Sequence, residues 1–249
     1  MKLATTLGDF YPAYCASPLE AVRAFENTGF RHLDYSFYHD LDPAIVLSDD
    51  WMRSIDATAV QAHKLGLDFV QAHAPGINIL DEDRDDDMDI LVFSRCIEAC
   101  AHLGIDRIVA HSACIPRYIY PQDREGYFAE NRGFFRRLYP AMERYEVQLL
   151  IENSAEVNSG GRYFFMTGQE MRDFVDYCAH PLLKACWDTG HANLRNSNQY
   201  DDMLAIGDAL AAVHIQDNFG ECDQHIAPFM GTLDVDAVMH ALMDVGYTG

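Results

Sequence analysis

The chain has 249 residues, of which 49% are hydrophobic, and its 39 acidic residues against 18 basic ones give a formal net charge of −21. This charge disfavours nucleic acid and anionic membranes as partners, because a protein that grips phosphates must neutralise them with Lys and Arg. No apolar run reaches the roughly 18 residues that a membrane-spanning helix needs. Seven irregularly spaced cysteines fit reduced thiols, and no signal peptide is visible, so we expect a cytoplasmic protein.

Seven short apolar segments alternate with longer amphipathic ones along the chain. Each short segment is bounded by turn or polar residues, as buried parallel strands usually are. In chain order they cover residues 2–7, 30–35, 67–72, 107–111, 148–152, 183–188 and 211–216. An alternation of strands and helices is typical of the α/β class.

Helix signals lie between the predicted strands. The segments SPLE at 17–20 and TGQE at 167–170 are capping boxes, and Asp234 can cap the helical sequence that follows it. Four of the helical runs are followed by a glycine, as a left-handed C-cap requires: Gly29, Gly66, Gly104 and Gly246. Helices therefore connect successive strands.

This pattern predicts a single domain over residues 1–249 with the α/β fold of a (β/α)₈ TIM barrel. A doubly wound sheet is the alternative, although no Gly-rich phosphate loop follows the first strand. The eighth strand is missing, because DVGYTG at 244–249 ends where that strand should begin. A barrel without it has open edges, and we expect the natural polypeptide to continue for at least one strand.

Acidic or imidazole side chains stand at or near the ends of six predicted strands. In a TIM barrel the chemistry takes place at these ends, so the six side chains should converge on one cavity. Each of them alone has an ordinary explanation as a turn former or a structural histidine. Together they predict a shared polar site. They are Asp34, His73, His111, Glu152, Asp188 and His214.

Three of these residues combine the donor types of a metal site. Glu152, Asp188 and His214 offer a mixed carboxylate and imidazole set that suits Mn²⁺, Co²⁺, Zn²⁺ or Mg²⁺. The loop that follows His214 presents Asp223 and His225 to the same cavity. We therefore predict one divalent metal ion bound by Glu152, Asp188 and His214.

Four segments resemble the xylose isomerase-like TIM barrels, a superfamily that contains sugar and sugar-phosphate isomerases and epimerases as well as endonuclease IV. The segments are LLIEN around Glu152, WDTGHAN with Asp188 and His191, VHIQDN with His214, and DQHIAPFMGTLD at 223–234. The resemblance implies that Glu152, Asp188 and His214 are three of four metal ligands and that Glu152 is also catalytic. It places the fourth ligand, a glutamate, at the end of strand eight.

The function that the resemblance implies is a metal-dependent isomerase or epimerase. Such an enzyme moves a proton through the enediolate of a small sugar, polyol or sugar phosphate. The expected partner is thus a small carbohydrate, with no nucleic acid and no membrane, and a homo-oligomer stays open. The residues expected to bind substrate are His73, His111, His191, Asp223, His225 and Arg117.

Two other functions remain open at this point. Endonuclease IV uses a three-zinc cluster, and a barrel without its last ligand could be a non-catalytic sugar-binding protein. The acidic segment LDEDRDDDMD at 80–89 lies on the rim of the predicted site and would repel DNA, so we expect DNA not to be the substrate. The residues that resemble the zinc ligands are His73, His111, Glu152, Asp188, His191, His214, Asp223 and His225.

Overall fold

Seven parallel strands form one sheet whose order, β1 to β7, is the order of the chain. The structure is a computed structural model that describes residues 1–38, 44–154 and 162–249. The strands are Ala4–Thr6, His32–Ser36, Asp68–His73, Arg107–His111, Gln148–Glu152, Leu183–Asp188 and Leu210–His214. Within the described ranges no hydrogen-bonded ladder joins β7 to β1.

The sheet is curled, as the wall of a TIM barrel requires. Strands β3 and β7 are four positions apart, which in a flat sheet is about 19 Å at the usual strand spacing. Nevertheless Gln71 Nε2 in β3 lies 2.8 Å from His214 Nε2 in β7. The predicted α/β barrel architecture is therefore confirmed, with seven strands in the described part of the chain.

Ten helices connect and surround the strands in the described residues. They are α1 Pro18–Ala24, α2 Ala44–Leu47, α3 Trp51–Lys64, α4 Asp86–Leu103, α5 Arg124–Arg136, α6 Tyr139–Tyr145, α7 Gly168–Cys178, α8 Thr189–Leu194, α9 Gln199–Ile206 and α10 Val235–Asp244. None of those that the structure describes is long and apolar enough to cross a bilayer.

The three predicted helix N-caps are confirmed. Ser17 Oγ accepts from the backbone N–H of Glu20, and Thr167 Oγ1 accepts from that of Glu170. Asp234 Oδ1 likewise accepts from the backbone N–H of Ala237 at 2.9 Å. The four predicted C-cap glycines all have positive φ, but Gly29 is not a C-cap, because α1 ends at Ala24 and Phe25 follows it as the cap. Local hydrogen bonding in the sequence therefore sets where these helices begin and end.

Two predicted strands extended too far at their C-terminal ends. The first strand ends at Thr6 rather than residue 7, because Thr6 Oγ1 accepts from Gly8 N and starts a 3₁₀ turn over Leu7–Asp9. The last strand ends at His214 rather than residue 216. Gln216 leaves the ladder, since its backbone N–H donates to Thr189 Oγ1 instead. His214 is thus the terminal residue of its strand and not an interior one.

Strand alternation directs the polar strand ends into the barrel. A separate cluster of four buried side chains consists of Val109, Leu150, Cys186 and Ala212. Each precedes the polar residue that ends its strand by two positions, and so shares its face of the sheet. The four polar residues are His111, Glu152, Asp188 and His214. They therefore form a polar layer inside the barrel, directly above the layer of apolar side chains.

Gly168, the first residue of α7, touches the backbone of α9. A Cβ added at this position would lie 1.8 Å from the carbonyl oxygen of Asp202. We expect Gly168→Ala to lower the free energy of unfolding by about 1–3 kcal/mol, measured by urea denaturation, because the two helices must separate. Gly133→Ala is the matched control, since nothing lies within 4 Å of the added Cβ on the exposed face of α5. It should be neutral or stabilise by up to about 1 kcal/mol, and equal losses in both variants would contradict the argument.

Candidate active site

Glu152 is the centre of a cluster at the C-terminal ends of the strands. Its side chain is 2% exposed, and both of its carboxylate oxygens contact imidazole nitrogens. Oε1 lies 2.6 Å from His214 Nδ1, while Oε2 lies 2.7 Å from His111 Nε2 and 3.3 Å from His73 Nε2. One buried carboxylate is therefore surrounded by three imidazoles from β3, β4 and β7.

Asp188 joins this cluster from the neighbouring strand β6. It is 1% exposed, and its Oδ2 lies 3.9 Å from His214 Nδ1. Asp188 and Glu152 also offer oxygens within 4.8 Å of each other, in a group with a nitrogen of His191. The three predicted metal ligands thus approach one another pairwise within 4.8 Å, close enough to share an ion.

A second cluster lies beside the first and consists of His191, Asp223 and His225. Asp223 Oδ2 is 3.4 Å from His191 Nε2 and 2.9 Å from His225 Nε2. One ligand atom from each of the three residues falls within a mutual distance of 4.8 Å. His191 connects this second cluster to the first, because its backbone N–H donates to Asp188 Oδ1 at 2.7 Å.

The loop that carries Asp223 and His225 is held by Asp217, a residue to which the sequence analysis gave no role. Asp217 is fully buried and accepts from the backbone N–H groups of Asn218, Gly231 and Leu233 at 2.8, 2.8 and 3.0 Å. Its own backbone pairs with Ile226 in an isolated antiparallel bridge. An aspartate directly after the predicted strand 211–216 was the available signal, since that residue type often organises turns.

Gln71 and Asp34 lie behind His214 on the side away from Glu152. Gln71 Nε2 contacts His214 Nε2 at 2.8 Å and donates to Asp34 Oδ2 at 3.0 Å. Asp34 was predicted at the site, and its hydrogen bond to Gln71 connects it to His214. Gln71 was not predicted at the site, although a polar residue two positions before His73 shares its face of β3.

The electrostatics of the cluster favour an ionised Glu152. Burial works against the charge, but the imidazoles of His214 and His111 hold the pKa of Glu152 well below its usual range. Burial raises the pKa of Asp188. For His191, burial is outweighed by the charge of Asp188 and the hydrogen bond to Asp223, which raise its pKa to about 10. Burial lowers the pKa of His111, so the imidazoles around Glu152 differ in how readily they carry a proton.

The donor set fits a divalent ion. Imidazole nitrogens and carboxylate oxygens suit Zn²⁺, Mn²⁺ and Co²⁺, and Glu152, Asp188 and His214 offer both kinds of atom from adjacent strands of one rigid sheet. Metal binding to such a set releases protons from the imidazoles. The role of each residue as a ligand stays a prediction.

Arg117 is the predicted site residue that the structure places elsewhere. In the part of the chain that the structure describes, its guanidinium pairs with Glu82 and Glu130 and lies over the Tyr118 ring, and none of these residues belongs to the cluster. The other eight residues that were predicted as metal ligands or substrate contacts form one connected set. Two acidic partners thus neutralise the charge of a residue that was expected to bind substrate.

The acidic segment 80–89 follows β3 and opens α4. Asp85 caps the helix by accepting from the backbone N–H groups of Asp87 and Met88, both at 3.1 Å. Arg84 pairs with Asp86 and Asp89 at 2.7 and 2.9 Å. Much of this charge thus has a local structural role at a helix N-terminus, where acidic groups are stabilised.

A curled sheet of parallel β/α units, with carboxylates and imidazoles gathered at the C-terminal strand ends, defines a TIM barrel with a candidate catalytic rim. Residues 22–249 match the family described as xylose isomerase-like TIM barrel. The chain belongs to this family, as the sequence motifs predicted.

Three similar proteins illustrate the match. The uncharacterized protein y4fM of Sinorhizobium fredii (strain NBRC 101917 / NGR234) is 27% identical over 243 residues, covering 88% of this chain and 75% of that protein. D-psicose 3-epimerase with D-tagatose, from Clostridium cellulolyticum H10, has a TM-score of 0.78 at 20% identity, covering 100% of this chain and 83% of the other. The IOLI protein with a binding zinc atom has a TM-score of 0.76 at 18% identity, with 100% and 87% covered. At these identities the two solved structures establish the fold.

Proposed function

We propose that this protein is an enzyme, a divalent-metal-dependent isomerase or epimerase of a small sugar or polyol. The observation that carries the proposal is the buried Glu152 carboxylate within ligand reach of both His214 and Asp188. The similarity to a sugar 3-epimerase and to a zinc-binding barrel supports the same chemistry.

Glu152, Asp188 and His214 are the residues that would hold the ion, which when bound supplies a Lewis acid next to the substrate carbonyl. Glu152 presents its two oxygens to different neighbours: Oε1 lies toward His214, and Oε2 lies toward His111 and His73. One oxygen is thus available as a ligand and the other for proton exchange. We assign Glu152 as the base that removes the proton next to the carbonyl carbon.

The fate of that proton separates the two reactions. Its return to the neighbouring carbon gives isomerisation, and return to the opposite face from a second acid gives epimerisation. His73, His111 and His191 lie next to Glu152, while Asp223 and His225 lie in the neighbouring cluster, and all five are proposed to bind the substrate hydroxyls. Arg117 is left out of this assignment, because its contacts are with Glu82 and Glu130.

A multi-zinc phosphodiesterase is the second candidate. The observation that favours it is the presence of two further donor groups, one formed by His73 and His111 around Glu152 Oε2 and one by His191, Asp223 and His225. The net charge of −21 weighs against a DNA substrate. We therefore rank the sugar enzyme first.

The test is solvent exchange with sugars under metal control. Purified protein loaded with Mn²⁺ or Co²⁺ is incubated in D₂O with a panel of ketohexoses that includes D-psicose and D-tagatose. We expect deuterium to enter the carbon next to the carbonyl, followed by NMR, and the exchange to stop with EDTA and return with metal. Absence of exchange with every sugar, together with salt-sensitive cleavage of abasic duplex DNA and three bound zinc ions, would favour the second candidate.

A further inference from the structure

Gln216, two residues beyond His214, places its side-chain amide between the two clusters. Its Nε2 donates to Asp188 Oδ1 at 3.2 Å and to Asp223 Oδ1 at 2.6 Å, so both amide hydrogens are directed at carboxylates. The residue is 7% exposed. Gln216 thus connects the proposed metal centre to the neighbouring His191, Asp223 and His225 group.

The turn after β6 holds Gln216 from two sides. Thr189 Oγ1 donates to the backbone carbonyl of Gln216 at 2.9 Å and accepts from its backbone N–H at 3.2 Å. Gly190 lies directly against the amide, where an added Cβ would come within 2.0–2.2 Å of the amide carbon, oxygen and nitrogen. A glycine at this position therefore leaves the space that the amide occupies.

The orientation of the amide follows from its partners. A rotation by 180° would direct the carbonyl oxygen at two carboxylate oxygens, with no donor between them. In the orientation observed, Oε1 is buried and has no hydrogen-bond partner among the described residues. A buried acceptor without a partner is unfavourable, so the two carboxylate contacts determine how the side chain lies.

These contacts assign the oxygens of both aspartates. Asp188 Oδ1 accepts from Gln216 and from the backbone N–H of His191, and Oδ2 is the oxygen that lies toward His214. Asp223 Oδ1 accepts from Gln216, and Oδ2 is the oxygen that contacts His191 and His225. An N–H donor thus occupies the position where a cation bridging Asp188 and Asp223 would otherwise lie.

We propose that Gln216 is a positioning residue with two effects. It presents Asp188 to the ion through Oδ2 alone, and it keeps a second cation out of the space between Asp188 and Asp223. This inference rests on the proposed function, because it takes Glu152, Asp188 and His214 to be the metal ligands. Its consequence is that Gln216 governs both the affinity and the number of bound ions.

The test measures Mn²⁺ binding to the metal-free full chain by calorimetry and EPR, independently of catalysis. Gln216→Leu removes the donor and keeps most of the volume, and we expect Mn²⁺ affinity to fall about 10- to 100-fold, as is typical when a partner of a ligand is lost. Gly190→Ala keeps the donor but displaces it, and affinity should fall in the same direction. Gln216→Glu replaces the donor with a carboxylate and should bind more Mn²⁺ per chain than wild type. Gln122→Leu, on the exposed surface, is the control.

The outcomes separate this inference from the proposed function. A wild-type chain that binds no Mn²⁺ overturns both. Wild-type binding with unchanged affinity in Gln216→Leu and Gly190→Ala, or with unchanged stoichiometry in Gln216→Glu, overturns the role of Gln216 alone. Melting temperatures in EDTA complete the test: a lower value in the Gln216 variants with wild-type Mn²⁺ affinity would make the residue merely structural and would also overturn the role.

Discussion

Glu152→Gln is expected to slow solvent deuterium exchange into the sugar by about 10²- to 10⁴-fold, the range for loss of a general base. The amide has the shape of the carboxylate but accepts no proton. It also directs a donor at one of the imidazoles that now contact Glu152 oxygens, namely His214, His111 and His73. The same substitution should weaken Mn²⁺ binding, because one charged ligand becomes neutral.

The exchange rate and the Mn²⁺ affinity are measured side by side, by NMR in D₂O and by calorimetry. Glu26→Gln provides the control. Glu26 is exposed, and its substitution removes the same charge from the protein surface. A Glu152→Gln variant that exchanges deuterium within a few-fold of wild type would remove Glu152 from the mechanism, even if metal binding were weaker.

Asp217→Ala is expected to lower the free energy of unfolding by at least about 3 kcal/mol and to displace the loop that carries Asp223 and His225. Hydrogen bonds to a charged group are worth about 1.5–3 kcal/mol each, and Asp217 accepts from three backbone N–H groups that would be left without a partner. Urea denaturation at neutral pH measures the loss. Asp234→Ala, which removes an exposed helix cap, should lose only about 1 kcal/mol.

The contribution of Asp217 should also depend on pH. Burial raises its pKa, but the backbone donors at Leu233, Gly231 and Asn218 outweigh this effect and lower the pKa below 3.8. A carboxylate with a lowered pKa stabilises the folded protein at pH values above its pKa in the unfolded chain. This contribution is lost as the pH falls through the pKa of the group in the folded protein. The stability difference between wild type and Asp217→Ala should therefore shrink below pH 3.8. A difference that stays constant down to acid unfolding would contradict the charge-based explanation.

Local patterns were sufficient to predict much of the architecture. The hydroxyl group of a capping residue such as Ser17 or Thr167 accepts from a backbone N–H three residues away. Its effect can therefore be predicted from a short stretch of sequence. Parallel β/α order also implies that strand ends meet on one rim. Glu152, Asp188 and His214 could be assigned to one site for this reason, before any distance was known.

Contacts between distant segments decided the rest. Gln71 and Gln216 are amides whose roles depend on the groups that lie across from them, His214 in one case and two aspartates in the other. Nothing in the residues next to Arg117 indicated that Glu82 and Glu130 would pair with it. Side chains of this kind reach partners that the local sequence does not contain.

The sequence by itself thus determined the α/β class, the helix caps and the polar residues at the strand ends, because strand periodicity and capping are local properties. Only the tertiary structure decided which oxygen of Asp188 lies toward His214 and which accepts from Gln216. The physical reason is that a carboxylate has two equivalent oxygens, and only the three-dimensional arrangement of donors makes them different. The same arrangement separates one proposed metal centre from the neighbouring group of His191, Asp223 and His225.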